Sequence, residues 1–106
     1  MKLKILSLIV LTCTICSFTL QTKKKIVFFG DSITQLGAMQ GGYILKVDSL
    51  CKNEGRSGQY EFVGAGIGGN KVYDLYLRMD DDVLAKNPDI VLIYVTNADL
   101  FLKRVK

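Results

Sequence analysis

Ser32 stands where a serine could act as a nucleophile. It closes Ile26-Val-Phe-Phe-Gly-Asp-Ser32, an apolar run that stops at Gly30-Asp31. The β-branched and aromatic residues Ile26 to Phe29 predict a buried strand. Gly30 permits a tight exit, so Asp31 and Ser32 fall at the strand's carboxyl end, which is where open α/β sheets bind ligands. Acyl transfer by a serine needs the nucleophile, a base to take its proton, and donors aimed at the developing oxyanion. The chain has no histidine at any position, so the usual imidazole base is missing. Three small polar residues after a strand also make an ordinary turn.

A second candidate stretch is Gly64-Ala-Gly-Ile-Gly-Gly-Asn70, which follows a short strand over Tyr60 to Val63. Glycines in such a loop let the main chain approach a ligand with no Cβ in the way. The same letters, Gly64-x-Gly66-x-x-Gly69, also spell a dinucleotide-binding fingerprint, with a phosphate at the following helix N-terminus. That fingerprint belongs after the first strand, however, and an acidic residue should end the next one; here the next apolar run ends in Val95-Thr96. The triplet Asp80-Asp81-Asp82 points three ways around a helix, about 100° apart per residue, and reads as a solvated face rather than a metal site. No metal-ligand spacing occurs elsewhere, so neither a metal nor a cofactor is expected.

These stretches need a scaffold, and the patterning supplies one. Gln35 to Gly42 is polar and glycine-rich and reads as a loop. Tyr43 to Asn53 predicts a helix, with Tyr43, Ile44, Val47, Leu50 and Cys51 at helical spacing and Gly55 as its terminator. After the second strand, Val72, Leu75, Tyr76, Met79, Val83 and Leu84 share one helical face, broken off at Asn87-Pro88. Ile90 to Val95 is a continuous apolar run of the kind central parallel strands show. Strands alternating with helices at this spacing imply a parallel sheet with right-handed crossovers.

The chain has 106 residues, room for one small domain. Residues 1–22 are laid out as a secretory signal, with Lys2 and Lys4 before an uncharged run from Ile5 to Leu20. This implies a secreted or periplasmic protein with no stable membrane insertion after cleavage; a retained N-terminal anchor is the alternative. Without Lys2 and Lys4, twelve basic residues face ten acidic ones. That balance excludes a polyanionic partner, and no basic stripe interleaved with aromatics suggests nucleic acid. Lys23 to Lys25 read as a solvated linker. Cleavage would leave Cys51 as the one cysteine, so no intramolecular disulfide is expected.

Taken in order, the Gly30-Asp31-Ser32 turn, the glycine-rich loop after the second strand, and Pro88-Asp89 before an apolar third strand resemble the GDSL, or SGNH, hydrolases. The resemblance implies a three-layer α/β/α, flavodoxin-like fold with a parallel sheet, here spanning residues 23–106 and stopping after the third strand. It implies an acyl or acetyl esterase, or a lipase-like enzyme, acting on small esters such as acylated carbohydrates or lipids. By the same resemblance Ser32 is the nucleophile and an oxyanion donor through its N–H, and Asp31 is its structural neighbour. Gly69 becomes a second oxyanion donor, with Gly68 or Gly66 taking its place if the register slips. The family's third block, Gly-x-Asn-Asp, meets Thr96-Asn97-Ala98-Asp99 here. Ungapped, Ala98 takes the asparagine position, whereas a shift of one residue puts the donor at Asn97. The family's Asp-x-x-His block has no counterpart in the chain. The expectation is an ester hydrolase fragment, poorly folded or inactive alone, with the third strand's edge unpaired. A non-catalytic binding remnant of the same fold is the alternative.

Overall fold

The computed structural model describes residues 1–7 and 22–96. Residues 2–7 are helical and exposed. Most of the expected signal segment, together with Asn97 and Asp99, lies outside the described residues. No helix among the described residues is long and apolar enough to cross a membrane.

Three parallel strands form one sheet: β1 (Lys24–Gly30), β2 (Tyr60–Gly66) and β3 (Ile90–Tyr94), in the spatial order β2-β1-β3. The helices are α1 (Ser32–Gly37), α2 (Tyr43–Asn53) and α3 (Val72–Asp82), followed by a 3-10 turn at Leu84–Lys86. The register pairs Phe28 with Gly64 and Leu92, and Phe29 with Ala65 and Ile93. Alternation then sorts the side chains onto two faces. On one face Val27, Phe29 and Ala65 bury against Leu75 and Val83, with Val63 and Met79 packed around them. Fully burying a side chain such as Phe29 or Val27 stabilises the fold by roughly 1.5–3 kcal/mol. On the other face Phe28 meets Tyr43 edge-on at 5.8 Å between ring centroids, and α2 buries Ile44. Helices on both faces of a parallel sheet give the three-layer architecture.

The chain winds from β1 out to β2 and then back across β1 to β3. The winding direction therefore reverses between β1 and β3, and a crevice opens at their carboxyl ends. Gly30 keeps that crevice closed at its base, since a Cβ there would collide with the Tyr94 carbonyl oxygen.

Several sequence expectations need correction. Gln35 to Gly42 is not all loop, because Ser32–Gly37 is helical. Its cause is local: Asp31 Oδ1 accepts the Ile33 N–H at 3.0 Å as an N-cap, and the Asp31 carbonyl accepts the Gln35 N–H at 3.0 Å. Gly64 and Gly66 belong to β2 and not to a loop. This removes the dinucleotide-binding reading, whose first two glycines must form a tight turn. Lys24 and Lys25 are not linker but the start of β1, held by the Lys25 N–H donating to Asp89 Oδ2 at 2.7 Å. Leu50 and Tyr76 share their helices' apolar spacing yet are 60% and 80% exposed; among the described residues, a three-stranded sheet is too narrow to cover them. Asp82 is no plain solvated carboxylate, since it accepts from Arg78 Nη1 at 2.8 Å.

Candidate functional site

The site gathers at the carboxyl ends of the three strands. Ser32 is the first residue of α1 and is exposed. Neither its hydroxyl nor its N–H has a hydrogen-bond partner among the described residues. The unpaired N–H follows from its place, since the first turn of a helix has no carbonyls behind it.

Asp31, beside it, is buried and fully engaged. Its Oδ1 caps α1, and its Oδ2 accepts the Thr96 N–H at 2.8 Å and the Thr96 hydroxyl at 2.7 Å. The Thr96 N–H holds the Asp31 carboxyl below the ordinary carboxylate value, with the Thr96 hydroxyl and the Ile33 N–H assisting and burial opposing. Both oxygens are taken up by groups of α1 and of the segment after β3, so Asp31 shapes the turn.

The glycine loop reaches the serine from β2. Gly66 lies in the strand beneath α1, where a Cβ would collide with the Gln35 nitrogen. The Gly68 N–H donates to Gln35 Oε1 at 2.8 Å, which ties the loop to α1. A Cβ built on Gly68 would stand 3.8 Å from the Ser32 Cβ. Gly69 follows with φ +79° in a turn closed by the Asn70 N–H on the Ile67 carbonyl. That left-handed backbone suits glycine. The Gly69 N–H has no partner among the described residues. Of the three glycines considered, then, one is packed in the sheet, one is bound to Gln35, and one presents an open N–H. The loop after β3 is described only as far as Thr96, and Asn97 lies outside the described residues.

One residue at this site carries no signal in any of the motifs. Arg78, on α3, donates from Nη2 to the Gly30 carbonyl at 2.9 Å and from Nη1 to the Ala65 carbonyl at 3.0 Å. Its Nε donates to Asn70 Oδ1 at 2.7 Å, and its guanidinium lies 4.5 Å from the Phe29 ring centroid. Asp82, one helical turn on, supplies the counter-charge. Arg78 thus holds the serine turn and the glycine loop to one planar group, a task suited to a rigid fork of donors. The Arg78-Asp82 spacing was the only trace in the sequence, and it points equally to an ordinary surface pair.

Ser32, with its hydroxyl open and its own N–H unpartnered among the described residues, thus lies at the switch point of a parallel sheet beside a glycine loop. Comparison with known proteins narrows the class. No family model matches the chain. An acetylxylan esterase of Geobacillus stearothermophilus is 34% identical over 89 residues, which cover 74% of this chain and 41% of that protein. Among solved structures, the acetyl xylan esterase AlAXEase is 57% identical, with a TM-score of 0.70 over 76% of this chain and 41% of its own. A GDSL-like lipase from Parabacteroides merdae is 29% identical, with a TM-score of 0.64 over 83% of this chain and 47% of its own. This chain belongs to the GDSL, or SGNH, esterase family and corresponds to the N-terminal part of its members. It spans about two-fifths of the length of the curated relative.

Proposed function

We propose that the chain carries the nucleophile half of an esterase that removes acetyl groups from an acylated carbohydrate. Ser32 attacks the ester carbonyl, and the N–H groups of Ser32 and Gly69 hold the oxyanion. A side-chain donor from the loop after β3, at Asn97, completes the set. The observation that carries this reading is the open Ser32 at the first turn of α1, with the glycine loop beside it. The acetyl xylan esterases among the relatives support an acetyl ester as substrate. Export through residues 1–22 accords with a polymeric substrate outside the cell and is part of the proposal. With no histidine in the chain, Ser32 has no imidazole to take its proton, and the chain alone turns over no ester.

The test is a chimera in which this chain's residues replace the matched stretch of AlAXEase. It should hydrolyse p-nitrophenyl acetate and acetylated xylo-oligosaccharide, and Ser32→Ala should lower kcat by about a thousandfold or more. Activity that survives Ser32→Ala would overturn the assignment.

A further inference from the structure

We propose that Gln35 is a positioning residue for ester hydrolysis: its side-chain carbonyl holds the glycine loop in the geometry that presents the Gly69 N–H to the oxyanion. The role rests on the reading that Ser32 is the nucleophile of an esterase and that Gly69 is an oxyanion donor.

Ser32 and Gln35 stand three residues apart on α1, so their side chains are neighbours on one helical face. The Gln35 N–H is fixed by the Asp31 carbonyl at 3.0 Å, and its nitrogen lies against Gly66, where any Cβ would collide with it. From that seat the side chain reaches across 33 positions of sequence to accept the Gly68 N–H at 2.8 Å. A backbone N–H can only donate, so the oxygen of the amide, and not its nitrogen, must face the loop. A side-chain carbon built on Gly68 would stand 3.0 Å from Gln35 Oε1 and 3.8 Å from the Ser32 Cβ. Gln35 and the nucleophile therefore flank the same point of the loop.

The loop needs such a tie. Its start is held where the Ile67 N–H donates to the Gly30 carbonyl at 3.1 Å, and its end where Asn70 Oδ1 accepts from Arg78 Nε at 2.7 Å. Between these anchors the peptide unit that carries the Gly69 N–H joins two glycines, and no side chain limits its rotation. A Cβ on Gly69 would meet open space, so packing does not fix it either. Among the described residues, the one hydrogen bond made by this pair of glycines is the bond from Gly68 to Gln35. Because Ser32 stands on the same helix as Gln35, that bond sets the separation of nucleophile and oxyanion donor, a distance that efficient catalysis requires to within about 0.5 Å.

The test reads rates on the AlAXEase chimera, and exchange of the Gly68 amide on both the chimera and the full chain. Gln35→Met keeps the length and loses the acceptor. It should lower kcat on p-nitrophenyl acetate by about tenfold and leave KM within about twofold, because an oxyanion donor acts in the transition state. The fall is smaller than the hundredfold or so for a donor removed outright, since the Gly69 N–H is loosened and not lost. Gln35→Ala, a second variant without the acceptor, should behave alike. Gln35→Glu keeps an acceptor at the same reach and should hold kcat within about threefold of wild type. The Gly68 amide should exchange at least about fivefold faster in Gln35→Met and at the wild-type rate in Gln35→Glu. The role is overturned if kcat is unchanged in Gln35→Met and Gln35→Ala, if the loss falls on KM alone, or if Gln35→Glu is as slow as Gln35→Met while its Gly68 amide stays protected. An active chimera indifferent to Gln35 overturns the role alone; a chimera with Gln35 in place that turns over no ester overturns the esterase reading, and the role falls with it.

Discussion

Asp31 and Thr96 join the ends of two neighbouring strands through one carboxylate oxygen, which accepts the Thr96 N–H at 2.8 Å and the Thr96 hydroxyl at 2.7 Å. Asp31 leaves β1 and Thr96 lies two residues beyond β3. The bond therefore spans the crevice where the winding of the sheet reverses. Its other oxygen starts α1 at the Ile33 N–H. A single buried carboxylate thus sets both the direction in which Ser32 leaves the sheet and the course of the loop opposite it.

Asp31→Asn should destabilise the chain by about 1–3 kcal/mol at neutral pH, because charge-assisted bonds in a buried position are lost. The pH dependence has a defined sign. The folded-state pKa of Asp31 lies below its ordinary value. Its contribution is therefore present in full above the unfolded carboxylate value of about 3.9 and is lost as pH falls through the lower folded value. Urea unfolding of wild type and Asp31→Asn should show a gap that is constant from neutral pH to mildly acid conditions and narrows below about pH 3.9. A gap that widens on acidification would contradict the cause given for the shift. Thr96→Val should cost about 1 kcal/mol alone and less in the Asp31→Asn background, since the two share one bond.

Arg78→Met should be among the most destabilising single substitutions outside the apolar core, at about 3 kcal/mol or more, because it strips donors from two strand-end carbonyls and leaves Asp82 without its partner. Arg78→Lys keeps the charge and loses the fork, so it should recover less than half of the loss. The check is the midpoint of urea unfolding for the three proteins. Full recovery by lysine would show that charge alone, not the spacing of the donors, matters there.

Gln35→Ala frees the Gly68 N–H from its 2.8 Å bond. The expected cost is about 1 kcal/mol, confined to the glycine loop. In hydrogen exchange, the amides of residues 67–70 should open faster while those of Val27 to Phe29 stay protected. Uniform acceleration across the sheet would mean that Gln35 supports the fold as a whole.

Much of this arrangement was legible in the sequence because periodicity and punctuation agreed. Tyr43–Asn53 carried its helix from first residue to last, and Asn87-Pro88 marked the start of the third strand. Boundaries failed where tertiary pairing overrode composition. Gly64 and Gly66 look like loop residues, yet each is paired to β1 and packed beneath α1 or Ala38, where only a missing side chain fits. The first helix escaped because its amphipathic run is too short to show a period; the signal that could have found it was Asp31 as an N-cap. Arg78 was invisible for a different reason. The two partners that tie it to the strand ends are main-chain carbonyls, and a carbonyl has no letter in the sequence.

Glycine to alanine changes should separate the two reasons for glycine at this site. Gly69→Ala meets open space, so its whole cost is the left-handed backbone, about 1–2 kcal/mol. Gly30→Ala has an ordinary backbone and no space: its Cβ would strike the Tyr94 carbonyl and stand 2.5 Å from the Thr34 hydroxyl. Relief requires β1 and β3 to part at the crevice, which should cost about 3 kcal/mol or more and weaken the Asp31-Thr96 bond with it. Thermal unfolding ranks the two, and the Thr96 amide resonance reports the bond: it should move in Gly30→Ala and stay in place in Gly69→Ala. Equal costs with no movement of Thr96 would mean that the strand ends are soft, and that the close approach of β1 and β3 at the base of the crevice does not depend on glycine at position 30.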